Sequence, residues 1–558
     1  MSDMGLDMEG KRTTRRQLLA AGLGLGATVA AMPLLAACGG GDSEGGSGDG
    51  GSSADATQGT SGTPGTSGDS GSEGEPKYGG KLTMSLADRD VTSFDPIIPT
   101  DNMSIWTMVL IYDQLVRNAP DGQSVEPGLA ETWEVSDDGL TYTFNLREAT
   151  FHDGSPVTAE DAVYSLLRAV QEEDSQWGWI YQGVDTVEAT DERTVTVKMS
   201  HTWAPFLADV ALFSSSIIPK KLHEERGPAL FDSPVGSGPF QFVSWEKNTS
   251  IKLKKWENYW DPERPYLDEL EFLVLTDANT RMLKFQAGEL DIATDVPFSQ
   301  LEALEANPNY TILTDGAARF DYIGMNHTRK PFDDKLVRQA INYAIDKEAI
   351  IQSVLFGYGE MANTMLPKML YHADHVEGYP YNLEKAKELM ASSSAPDGFT
   401  AELIISSGDP VAQQVAQLVQ SQLAEIGGTI NIRLVEPGSA TDDIRALNYD
   451  WSKSYYTTDI IDPDELVTFG MVSDGGTKAV WTGYKNEEVD RLAREAAAET
   501  DPARREEMYH RIQELTTEDA PVILLYYPTG RTAVQKYIHG FRILPTGNYR
   551  LWDVWRSE

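Results

Sequence analysis

Residues 411–434 read VAQQVAQLVQSQLAEIGGTINIRL. Val411, Val415, Leu418, Val419, Leu423 and Ile426 recur at helical spacing and form one apolar stripe. Gly427-Gly428 stops the helix, because glycine accepts the left-handed conformation that closes a helix C-terminus. Ile430-Asn431-Ile432-Arg433-Leu434 then alternates with a period of two, as a half-buried strand does. A helix, a glycine turn and a strand in this order predict an α/β unit.

The same alphabet extends in both directions. Upstream, Leu336, Val337, Ala340, Ile341, Ala344 and Ile345 make another stripe. Downstream, helices are expected from about Asn486 to Glu499 and from Pro502 to Glu518, the second capped by Asp501 with Pro502 at its first position. The apolar run Pro521–Tyr527 reads as a strand. In the first half, 81–86, 140–146 and 194–199 alternate as strands. A helix after Thr158 carries Asp161 three residues on, a capping-box pattern. Near residue 320 the helices lengthen. Strands and helices interchange throughout, so the class is α/β with more than one sheet. No internal repeat at a fixed period appears.

Composition excludes several roles. The chain has 558 residues, with 46 Lys+Arg against 86 Asp+Glu and a formal net charge of −40. Phosphate binding is driven by clustered Lys and Arg, so nucleic acid is not an expected partner. The single cysteine, Cys38, allows neither an intrachain disulfide nor a cysteine metal cluster. No P-loop, G-x-S-x-G or H-E-x-x-H pattern occurs. His372 and His375 flank Asp374, but the Pro367–Pro380 stretch reads as a loop rather than a metal site. No cofactor and no metal are expected, and nothing forces an enzyme.

The N-terminus reads as an address. Lys11, Arg12, Arg15 and Arg16 precede an uncharged stretch, Leu18–Ala37, rich in Ala, Gly and Leu. That is signal-peptide layout, and Arg15-Arg16 resembles a twin-arginine signal. Leu35-Ala36-Ala37-Cys38 resembles a bacterial lipobox, whose cysteine is diacylated and becomes the new N-terminus. Two acyl chains suffice for stable anchoring. Residues 39–76 are dominated by Gly and Ser, without Lys, Arg or aromatic residues, and read as a disordered tether.

Several segments together resemble one family. They are Glu126–Leu140, Phe151–Val163, Gly236-Ser237-Gly238-Pro239-Phe240, Asn258-Tyr259-Trp260, Met325-Asn326 with Pro331-Phe332, Val337–Ala340 and Tyr343–Lys347. All look like the peptide/nickel class of bacterial extracellular solute-binding proteins that feed ABC importers. Each also has a plain structural reading. Asp153-Gly154-Ser155-Pro156 is turn chemistry, Gly236 and Gly238 allow positive φ, and Trp133, Phe144 and Phe151 are core.

The resemblance implies a two-lobed periplasmic-binding-protein-like clamshell with an extra subdomain. Lobe one would be about 77–320 plus 526–558, with the subdomain at about 116–235, and lobe two 321–525. Segments near Asp321–Asn326 and Tyr526–Thr529 would be hinges.

Asp450–Leu466 is the most informative stretch. Asp462-Pro463-Asp464-Glu465 is explained locally, as a cap, a first-position proline and two acids at a helix N-terminus. Asp459 is left over. In peptide-binding members the aspartate three residues before the acidic-Pro pair holds the α-ammonium, and Asp459 falls there. A tryptophan three residues earlier is usual; here it is Tyr456. Trp177-Gly178-Trp179 and Gly357-Tyr358-Gly359 are further cleft candidates.

The resemblance therefore implies a non-enzymatic, monomeric, lipid-anchored protein on the extracytoplasmic face of the cell membrane. It would bind peptides or peptide-like cationic solutes through Asp459 and Tyr456, with Cys38 lipidated. Its partners would be a permease and an ATPase. Oligosaccharides or metal chelates are the alternative ligands. A secreted hydrolase or a surface adhesion or signalling module are the alternative classes.

Overall fold

The computed structural model describes residues 74–315, 318–477 and 479–557. The expected signal peptide, Cys38 and most of the tether lie outside these residues. Among the described residues no helix is long and apolar enough to cross a membrane.

Three sheets organise the chain. A seven-stranded sheet runs in the order Tyr310–Leu313, Thr532–Gln535, Ile292–Ala293, Lys81–Leu86, Glu269–Val274, Ser250–Lys255, Phe240–Glu246. A six-stranded sheet runs Gly359–Met361, Val522–Pro528, Arg319–Met325, Trp451–Thr457, Phe399–Ser406, Gly428–Val435. A four-stranded antiparallel sheet runs Ala130–Val135, Thr141–Leu146, Thr194–Met199, Val184–Ala189. The two larger sheets centre two lobes, and the small one centres a subdomain.

Local chemistry accounts for the elements. The helix Pro410–Leu423 is capped by Asp409, and Gly427 sits at φ 80° after Ile426, where its left-handed turn leads into the parallel strand Gly428–Val435. The helix Ala159–Gln171 has its full capping box, Thr158 and Asp161 bonding reciprocally. The six-stranded sheet is covered on both faces. Ile323, Met325, Leu403 and Ile405 pack under the helices Lys335–Ala344 and Pro410–Leu423. Phe320 and Tyr322 pack under Glu487–Ala498 and Pro502–Asp519. Burial on both faces goes with the continuous apolar run of the strand Val522–Pro528.

Three expectations change. Gly236 and Gly238 do not adopt positive φ. They are glycines because the chain runs against Ile111: a Cβ at Gly236 would lie 2.0 Å from the Ile111 carbonyl oxygen. Trp133 is only half-buried, whereas Phe144 and Phe151 are core. The third concerns the crossings. The chain leaves the seven-stranded sheet after Leu313, enters the six-stranded one at Arg319, and returns between Pro528 and Thr532. The expected hinge at 321–326 lies instead within a strand paired on both flanks, which pins it. At the true crossing the Gly530 N–H donates to the Thr314 carbonyl at 2.8 Å, so the two passages run side by side.

Candidate functional site

Two neighbouring strands build the site. Arg319–Met325 and Trp451–Thr457 pair antiparallel, with Arg319 opposite Thr457, Asp321 opposite Tyr455 and Ile323 opposite Lys453. Side chains alternate across a sheet, so Arg319, Asp321, Lys453 and Thr457 share a face. They line a cavity of about 180 Å³ that also borders Trp106 and Tyr549 of the first lobe and the crossing residues Pro528–Gly530.

Asp321 is the electrostatic centre of that wall. Arg319 donates to it through Nε (2.7 Å) and Nη2 (3.1 Å), and Lys453 donates at 2.5 Å. Burial would raise its pKa, but Arg319 and Lys453 outweigh burial and hold the carboxyl below the usual range. The Arg319 guanidinium also lies 3.8 Å from the Tyr455 ring centroid. The cavity wall is mixed in sign, since Asp295, Asp315, Asp409 and Arg531 border it as well.

Tyr456 faces the other side of the sheet. Its ring stacks on Phe320 at 6.0 Å, and its hydroxyl is buried without a partner. Asp459 follows the strand end and is 7 % exposed, with Oδ1 buried and unpartnered. Burial, and then Glu465, push its pKa far above the ordinary carboxylate range. Glu465 holds this loop in place. It accepts from the Asp459 N–H (2.6 Å), the Ile460 N–H (3.1 Å) and the Thr458 hydroxyl (3.0 Å). Burial, then Glu465 and Asp459, also push the Tyr456 phenol up. Asp459, Glu465 and Tyr456 therefore form one buried cluster, and neither Asp459 nor Tyr456 lines the cavity bordered by Arg319.

The local reading of 462–465 holds in outline but is incomplete. Asp462 Oδ1 does accept from the Asp464 N–H at 2.8 Å, but both its oxygens also accept from Arg505 at 2.6 and 2.7 Å. Asp464 and Glu465 do open a helical turn, as the N-cap and first residue of the π-helical Glu465–Phe469, but both are buried there.

Sequence reasoning missed the partners brought in from afar. Asp209 of the short helix Phe206–Asp209 is fully buried against this cluster, and burial and then Asp464 raise its pKa. The seam is closed by Ala204 N–H donating to the Ala497 carbonyl (2.8 Å) and Thr202 Oγ1 to the Ala498 carbonyl (2.7 Å). Trp179 stacks on Phe469 at 4.9 Å across it, while its neighbour Trp177 is buried and donates to the Pro99 carbonyl. Tyr358 donates to Glu305 at 3.1 Å. His372 bonds Asp374 and Asn363, and His375 bonds Glu514. The i, i+2 spacing of Arg319 and Asp321 was the available signal for the cavity wall; nothing local marked Asp209.

Comparison with known proteins agrees with this architecture. The family model of bacterial extracellular solute-binding proteins, family 5 Middle, matches residues 124–477, more than half of the chain. The glutathione-binding protein GsiB of Pectobacterium atrosepticum is 30% identical, covering 87% of this chain and 96% of its own. The structure of DppA from Helicobacter pylori with the peptide STSA aligns with a TM-score of 0.79 at 27% identity, over 86% of this chain and 99% of that one. AppA from Bacillus subtilis, in complex with a nonapeptide, aligns at 0.78 with 28% identity, over 87% and 100%.

Proposed function

The chain belongs to the bacterial extracellular solute-binding proteins of family 5, and from that membership we propose that it is the substrate-binding component of an ABC importer for peptides or peptide-like cationic solutes. In this reading residues 77–320 with 526–558, and residues 321–525, are lobes that close on the solute. Cys38 carries the lipid that keeps the protein on the extracytoplasmic membrane face. The closed form delivers its solute to a permease driven by an ATPase.

One observation carries the solute chemistry. Asp459 Oδ1 is buried and unpartnered, beside Glu465 and the unpartnered Tyr456 hydroxyl. A buried carboxylate is costly unless a positive hydrogen-bond donor meets it. A solute ammonium fits that requirement, and it would bring the Asp459 pKa back down. The relatives favour the same class: one is named for glutathione, itself a small peptide, and two were solved with peptides.

A thermal-shift screen tests the proposal. Glutathione, di- to tetrapeptides, sugars, polyamines and metal chelates are compared on the purified protein. A binder at 100-fold excess over its Kd stabilises by about 2.7 kcal/mol. Shifts from peptides or amines are expected. Shifts from neutral sugars alone would remove the cationic part, and no shift from any class would remove the whole reading.

A further inference from the structure

Among the described residues, three large apolar side chains of the six-stranded sheet are exposed: Met361, Leu434 and Tyr455. Met361 and Leu434 belong to the two edge strands. Tyr455 belongs to Trp451–Thr457, which has a paired strand on each side, yet it is 43 % exposed. In register it stands opposite Asp321, and it alternates with Lys453 and Thr457, so it shares their face. That face is covered at its Ile323 and Met325 end by the helices Lys335–Ala344 and Pro410–Leu423. At the Tyr455 end the cover is missing. Tyr456, by contrast, is turned to the other face and stacked on Phe320.

The ring is held in place from one side only. The Arg319 guanidinium lies 3.8 Å from its centroid, and Arg319 is itself fixed by two hydrogen bonds to the buried Asp321. Charges of the first lobe face Tyr455 as well. It feels Asp88 and Arg89, which follow the strand Lys81–Leu86, and Asp295, which borders the cavity. Burial, partly opposed by Arg319, pushes the phenol up to about 12, so the ring is neutral at physiological pH.

We propose that Tyr455 is a specificity-determining residue of the cleft, stacking its free side on an aromatic side chain of the bound solute. Aromatic rings gain from offset or edge-on packing beyond the area they bury. A second cation is the poorer partner for this ring. Arg319 already sits over it, and two positive charges on either side of one ring repel. A saturated group would gain burial but not the ring-to-ring attraction. Because Asp321 fixes Arg319, and Arg319 backs the ring, little side-chain freedom is left to lose on binding.

The proposal rests on the reading that a solute enters between the lobes, but not on which group Asp459 holds. Its test therefore uses capped probes that carry no ammonium, N-acetyl-phenylalaninamide and N-acetyl-cyclohexylalaninamide, titrated onto the purified full chain and followed by saturation-transfer NMR. The phenyl probe is expected to bind more tightly than the cyclohexyl one. Tyr455→Phe should keep that preference. Tyr455→Leu should weaken the phenyl probe roughly 3- to 10-fold and erase the preference, as the loss of one aromatic pair requires. Should Tyr455→Leu fail to fold, Tyr455→Ile, β-branched and suited to a strand, takes its place. No phenyl preference in the wild-type protein, a preference that survives Tyr455→Leu, or a preference lost in Tyr455→Phe would each overturn the proposal. Peptides that shift the melting temperature while the phenyl preference is absent would remove this inference alone and leave solute binding standing. A phenyl preference that depends on Tyr455 would stand even if ammonium recognition at Asp459 failed.

Discussion

Asp459 and Asp462 are three residues apart and do opposite work. Asp459 is the buried acid with a free oxygen, so its removal should register in solute binding. Truncating one partner of a buried charge pair costs about 2–5 kcal/mol, so Asp459→Asn should weaken a bound peptide's Kd by about 30-fold or more. Calorimetry with the best peptide from the screen checks this; an unchanged Kd would make Asp459 a purely structural acid. Capping alone predicts little cost for Asp462→Asn, since Asn caps as well as Asp. The two bonds from Arg505 change that expectation. Leaving a buried guanidinium half-paired should cost about 3 kcal/mol of stability, read by chemical denaturation. Sequence made Asp459 visible by elimination, because capping explained its neighbours. It could not show Arg505, 43 residues further along, as the true partner of Asp462.

At the scale of elements, local signals were the legible part. The Thr158–Asp161 capping box, the Asp501-Pro502 start and the Gly427 stop all have their chemistry within a few residues, and the structure forms each of them. Thr158→Ala should therefore cost about 1 kcal/mol, measured by urea denaturation. Gly236 was legible as a special position but for the wrong reason. Its φ is ordinary, and the constraint is a long-range approach to Ile111 that no local pattern reveals. Gly236→Ala must push backbone apart and should cost about 1–3 kcal/mol or more; a wild-type midpoint for this variant would show that the packing is looser than described. The crossings were displaced for a related reason. Apolar alternation marks a strand, but it does not say where the strand changes sheets.

Over the whole molecule, the lobed plan came from many short motifs agreeing, whereas the seam depended on contacts between distant residues. Buried acids in the seam and elsewhere set the pH response. Burial pushes Asp113 up to about 6 and Asp464 and Glu465 up to about 7. These three keep protons in the folded state that the unfolded chain has shed, so their stabilisation is present below the ordinary carboxylate range and is lost as pH rises through 6 to 7. His152 and His327 act in the other direction, with burial lowering them to about 4 and about 3. Unfolding lets them take up protons below about pH 6.5. Three carboxyls outweigh two imidazoles, so the melting temperature should fall as pH rises from about 5 to 6.5; above that the carboxyls have shed their protons and the fall flattens, opposed by Lys347, which burial holds down to about 7. Calorimetric scans across the range check the sign. A melting temperature that climbs with pH would mean these acids are ionised in the folded protein.

The paired crossings carry a mechanical consequence. Two chain passages tied side by side by the Gly530–Thr314 bond would act as a leaf spring in the proposed lobe movement. A ribbon of that kind bends easily across its thin dimension and resists both shear and torsion. Gly530 lets the two leaves lie this close, since a Cβ there would come 2.0 Å from the Asp315 carbonyl oxygen. The proposed lobe movement would then have one soft direction of travel. In the proposed closing movement Thr202 would meet Ala498 and Trp179 would meet Phe469 in the same alignment on every stroke, with no search over orientations at its end.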